Sequence, residues 1–197
     1  MLKKIVFKFL MATLMLSMFS GVSYANDLKD LFKQVVKLKI ERHGYMLGKA
    51  LNQEQLNKAI SNSVDTETPD TFKFKDKNLF VVAQKTSNRV LVIYEQFEKA
   101  TQQKIQNLIG DLYMQFDDPT VSAHDKVVYW AYGKKGKVSS KAFDTAKDNK
   151  TNLEILATVK FVSDINIMEK LKEPLKGQAY YIISSDPILQ LFGEQKT

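Results

Sequence analysis

The stretch Leu79–Phe97 (LFVVAQKTSNRVLVIYEQF) decides the fold. Residues 79–84 and 89–97 are rich in β-branched and aromatic types, which suit a pleated, half-buried surface. Thr86-Ser87-Asn88 between them is polar and turn-forming, so the stretch reads as a β-hairpin. Thr71–Lys75 precedes it as a further short strand.

The pattern changes on either side. From Ala100 to about Phe116, Ile105, Leu108, Ile109, Leu112 and Tyr113 recur at helical spacing, and Asp117-Asp118-Pro119 ends that helix. Lys126–Tyr132 (KVVYWAY) is a strand. A polar excursion over Gly133–Lys150 follows, with a short helix expected at 139–147. Leu153–Ser163 and Gln178–Ser184 are strands, and Pro187–Phe192 is a closing turn of helix. Upstream, Asn52–Asn62 is a helix, and Ser61–Asp70, with Pro69, is a loop. A first helix, capped by Asn26 or Asp27, carries Leu28, Leu31, Phe32, Val35 and Leu38 on one stripe. It is expected to reach about Glu41 and to stop near Gly44. Its stripe has the width of a helix packed on its own domain, although a basic amphipathic helix can also lie on a membrane.

Consecutive strands joined by short turns favour antiparallel pairing. The expected class is α+β: antiparallel sheet or sheets with helices packed on one face. A weak internal repeat runs through it. Residues 51–60 (LNQEQLNKAI) and 100–109 (ATQQKIQNLI) match at an offset of 49, and Phe80 meets Tyr129 at the same offset. Each copy would be a helix, a proline loop and strands, giving two related halves, 45–98 and 99–197.

Residues 102–119 (QQKIQNLIGDLYMQFDDP), 126–132 (KVVYWAY) and 154–163 carry a resemblance. A helix leading through a proline loop to an aromatic strand resembles the module of the small outer-membrane assembly lipoproteins. Duplicated in tandem, it resembles the beta-lactamase inhibitor protein family. The resemblance implies an architecture and a binding role. The lipid-bearing cysteine of the first family and the disulfides of the second have no counterpart here.

The chain has 197 residues, no cysteine and two histidines. That excludes disulfides, zinc–cysteine sites and cysteine nucleophiles. Residues 1–25 read as a secretory leader. Lys3, Lys4 and Lys8 precede the short apolar run Phe9–Phe19, and Ser23-Tyr24-Ala25 offers small residues for cleavage after Ala25. The mature chain, 26–197, would be a single domain, periplasmic or secreted, with no transmembrane span once the leader is removed. The leader holds three lysines and no acid, so the formal charge of +7 falls to +4 in the mature chain. That modest excess in an exported protein argues against nucleic acid as a partner.

No catalytic constellation stands out. His124 lies near Ser122, Asp117, Asp118 and Asp125 in a loop before a strand; neighbours along one loop do not make a triad, and a metal site from Asp117, Asp118, His124 and Asp125 is the alternative to a solvated polar loop. Glu41 and His43 could pair as acid and base with an Asp or Glu elsewhere, but the sequence does not define that partner. There is no nucleophile elbow, phosphate loop or calcium loop, and no catalytic, cofactor or metal residue is assigned. The functional clues are aromatic and basic. On Lys126–Tyr132, Val127, Tyr129 and Ala131 share one face, and Val128, Trp130 and Tyr132 the other. Both are apolar, so either the chain covers both or one is a binding surface. The excursion 133–150 carries six lysines against two aspartates. Tyr129, Trp130, Tyr132, Lys134, Lys135, Lys137 and Lys141 are therefore the candidate interaction residues. The expected role is a non-enzymatic binding protein of the bacterial cell envelope, contacting a protein or an envelope component, with an anionic partner for the lysines. The alternative is a small periplasmic hydrolase using carboxylates.

Overall fold

The computed structural model describes residues 27–66, 68–168 and 176–193. The predicted leader lies outside them. The elements are α1 (27–37), β1 (Glu41–Arg42), β2 (Tyr45–Met46), α2 (Gln53–Ser61), β3 (Ser63–Val64), β4 (Thr71–Asp76), β5 (Leu79–Gln84) and β6 (Val90–Thr101). They continue with α3 (Gln102–Phe116), β7 (Val121–Ala123), β8 (Val127–Gly133), β9 (Gly136–Lys137), α4 (Ser140–Asp148), β10 (Ala157–Ser163), β11 (Lys176–Ser184) and α5 (Asp186–Gly193).

The protein is α+β. Nine strands form one antiparallel sheet in the order β3-β4-β5-β6-β11-β10-β8-β7, with β9 paired to β8. The join between the earlier and later strands is β6 against β11, where Ile93 faces Ile183 and Tyr94 faces Ile182. Helices α2 and α3 begin 49 residues apart, at Gln53 and Gln102. Asn52 caps α2 in a reciprocal box with Gln55, and the Thr101 hydroxyl accepts the Lys104 N–H at the start of α3. Each helix leads into a hairpin, β4–β5 after α2 and β7–β8 after α3.

Alternation along the strands divides the sheet into two faces. The inner face carries Leu79 and Val81 from β5, Leu91, Ile93 and Phe97 from β6, Trp130 from β8, Phe161 from β10 and Tyr181 from β11, all buried. Phe32 and Val35 of α1 and Ile105, Ile109, Leu112 and Phe116 of α3 complete this core. Burying each large apolar side chain stabilises the fold by about 1.5–3 kcal/mol.

The first helix is shorter than its apolar stripe implies. It ends at residue 37, and Lys39 takes a left-handed backbone at φ 54°. Residues 41–46 then form a tight hairpin in which Arg42 pairs with Tyr45. The His43-Gly44 turn has φ of 51° and 85°, the geometry of a two-residue hairpin and one that favours glycine. The strand expected from Leu153 begins only at Ala157. Its partner β8 turns into the β8–β9 hairpin just after Tyr132, the residue opposite Ala157.

Candidate functional site

The outer face of the sheet is built from the alternate residues. One row crosses seven strands: Lys75, Phe80, Tyr94, Ile182, Lys160, Tyr129 and Val121 are successive cross-strand neighbours. Val82, Val92, Val162, Tyr180 and Val127 flank it, and all five are partly exposed. Phe80 and Tyr94 stack with centroids 4.8 Å apart. The Lys75 ammonium lies 5.1 Å from the Phe80 ring and that of Lys160 lies 5.7 Å from Tyr129, both cation–π contacts. Partial burial raises the pKa of both Tyr94 and Tyr129 above the ordinary phenol value. At one end Thr158 and Ser184 are buried, and α5, which follows β11, contacts β10.

The candidate residues separate. Tyr129 belongs to the outer face. Trp130 does not reach a surface at all. It is fully buried on the inner face, edge-on to Tyr113 and tilted on Phe116, and its indole N–H donates to the Asp117 carbonyl at 2.8 Å. As an interaction residue Trp130 is therefore corrected to core. Tyr132 shares that inner face but is only half-buried.

Tyr132 instead joins the lysines. A cleft of about 700 Å³ lies between α1 and the β8–β9 hairpin, walled by Gln34, Lys37, Leu38, Tyr132, Lys134, Lys135, Lys137 and Leu156. Gly133 pairs with Gly136, so Lys134 and Lys135 form the two-residue tip of the hairpin. Lys134 contacts Glu154 at 2.6 Å, while the Lys137 ammonium donates to the Phe116 carbonyl at 2.9 Å and lies 3.7 Å from Asp117. Lys141 sits apart, exposed on α4.

A third constellation gives His43 the distant acid that the sequence left undefined. Glu95 is buried on the inner face, with its carboxylate 3.3 Å from Arg42 Nη2 and 3.4 Å from His43 Nε2. A small pocket of about 280 Å³ beside it also holds Tyr45, Lys58 and Asp76. The Tyr45 hydroxyl donates to Asp76 at 2.8 Å, and Lys58 lies 3.4 Å from the same carboxylate. The Tyr45 hydrogen bond, with help from Lys58, lowers the Asp76 pKa against the opposing effect of burial. The signal was legible in principle: Glu95 interrupts the inner-facing series Leu91, Ile93, Phe97. These carboxylates are engaged by fixed partners, and the arrangement clasps the β1–β2 hairpin to the sheet.

Around His124, the Asp125 carboxylate accepts the Met168 N–H at 2.9 and 3.0 Å. Among the described residues no three His, Asp or Glu side chains gather as a metal site, and no helix is long and apolar enough to cross a membrane. No family model matches the chain, and neither does a curated protein or a solved structure.

Proposed function

We propose that this chain is an exported, non-enzymatic binding protein of the bacterial cell envelope that holds a partner protein on the outer face of its sheet. The observation that carries this reading is the row from Lys75 to Val121, in which aromatic and aliphatic side chains stay partly exposed across seven strands. Contiguous, partly exposed apolar surface of this kind is a feature of interaction sites. The charges set within it are Lys73, Lys75 and Lys160, while Glu98 and Asp186 stand at its margins. The partner surface that fits is apolar and bordered by carboxylates. A second copy of this face would set lysine against lysine. The binding role implied by the architectural resemblance points the same way, and the leader supplies the route to the envelope.

Site-specific photo-crosslinking in envelope extract tests the reading. A crosslinker at Tyr94 or Ile182 should trap one discrete protein, and a crosslinker at Lys141 should not. Equal trapping from all three positions would refute it. Export is tested separately: the mature protein should begin at Asn26, and an intact precursor in the membrane fraction would refute cleavage.

A further inference from the structure

The cleft between α1 and the β8–β9 hairpin draws its Tyr132 from the inner face of the sheet, not from the outer face of the partner-binding role proposed above, and combines features of its own. Lys37 stands at the C-terminal end of α1, where a cation suits the helix dipole. Lys134 and Lys135 are carried to the opposite wall by a hairpin that requires glycine. Gly136 has φ of 102°, and a side chain at Gly133 would meet the Glu154 carbonyl at 2.9 Å. Neither Lys37 nor Lys135 has a hydrogen-bond or ion-pair partner among the described residues. Glu154 and Asp117 offset the other two lysines, leaving a net positive wall.

The cleft wall also carries a polar atom that no anionic oxygen can satisfy. Gln34 Oε1 is shut off from solvent and has no hydrogen-bond partner. A buried acceptor left unpaired costs about 1–3 kcal/mol, so a hydroxyl or N–H donor would relieve it once the half-buried Gln34 side chain turns its oxygen toward the cleft. Leu38 and Leu156 give the cleft an apolar lining, and the Tyr132 phenol is available as a neutral donor, its pKa pushed up to about 12 by burial and then by Asp117.

We propose that this cleft binds a phosphorylated polyol, with the phosphate held by Lys37 and Lys135 and a polyol hydroxyl donating to Gln34 Oε1. A fully ionised phosphate group would satisfy the lysines but carries no donor for Gln34. A neutral polyol would do the reverse. The same chemistry is offered by a soluble glycerol or sugar phosphate and by the phosphoglycerol headgroup of an anionic lipid.

The test uses the mature protein and calorimetric titration with glycerol 1-phosphate, inorganic phosphate and glycerol. Glycerol 1-phosphate should bind most tightly, and Lys37→Gln with Lys135→Gln should weaken it by about tenfold or more, since both charge-assisted contacts are lost. Gln34→Leu should erase the preference for glycerol 1-phosphate over inorganic phosphate. Lys141→Gln and Ile182→Lys should change nothing, which separates this site from the outer face. Co-sedimentation with phosphatidylglycerol and phosphatidylcholine vesicles distinguishes the sources. Binding to phosphatidylglycerol that needs Lys37 and Lys135, without binding of the soluble phosphate, assigns the lipid headgroup and upholds the site. Weakening by Lys141→Gln equal to that of the cleft variants would reduce the effect to general charge attraction and overturn the proposal. So would the absence of binding by both glycerol 1-phosphate and phosphatidylglycerol.

Discussion

Phe80 and Tyr94 face each other across β5 and β6 with their rings 9° from parallel, on the side of the sheet away from α1 and α3. A half-buried stack of this kind contributes about 0.5–1.5 kcal/mol to the fold beyond area burial. Ile182, the next residue in the row, is partly exposed. Ile182→Lys should therefore cost no more than about 1 kcal/mol in urea unfolding. It should abolish capture of the partner protein by the outer face. A variant that keeps full capture would remove that face from the binding reaction.

Trp130 provides the contrast within the same region. It is fully buried and its indole N–H satisfies the Asp117 carbonyl. Trp130→Ala should destabilise the protein by about 3–5 kcal/mol. Tyr129→Ala, one residue away on the other face, should cost far less. Denaturant titration of the pair measures the difference directly, and equal losses would contradict the assignment of faces.

The division of residues 127–132 into two faces was legible in the sequence, because strand alternation is local. Which face turns inward was not, since α1 and α3 decide it from distant parts of the chain. The same limit explains the other outcomes. The hairpin 79–97 and helix α3 follow from their own periodicity and their turn and cap residues. The end of α1 depends on a left-handed Lys39, a backbone state that a lysine does not advertise. Gly44 has the signature of a helix stop in the sequence, although glycine there also serves a two-residue hairpin. Glu95 finds Arg42 and His43 across more than fifty residues, and Gln34 and Lys135 line one cleft from a hundred residues apart; neither spacing leaves a local pattern.

The ion pair between Arg42 and Glu95 should be felt most strongly when only one partner is removed. Glu95 is 5% exposed, and its carboxylate is shared by Arg42 and His43. Glu95→Ala leaves the Arg42 guanidinium without its acid, and breaking such a buried pair costs about 3–5 kcal/mol. Replacing both, as Arg42→Met with Glu95→Leu, should cost clearly less than the sum of the single losses. A double-mutant cycle in denaturant measures this, and strict additivity would show that the two groups do not act as a pair.

High pH should unfold the protein through its phenols. Burial pushes the Tyr132 pKa from 10.0 up to about 12, with Asp117 adding to the effect. Tyr45 is raised further, first by burial and then by its hydrogen bond to Asp76. Tyr181 is also raised, because burial outweighs the opposing attraction of Arg42. Each phenol thus holds its proton more tightly in the folded chain than in the unfolded one. The stability they contribute is complete below the unfolded value near pH 10 and is lost as pH rises through the folded values. Urea midpoints should therefore fall steadily between about pH 10 and 12, and part of the phenolate absorbance should appear only with unfolding. Tyr132→Phe should flatten this decline without removing it, since Tyr45 and Tyr181 remain. Midpoints that stay constant across the interval, or phenolates that all form while the chain is still fully folded, would show that these hydroxyls are not held in the folded protein as described.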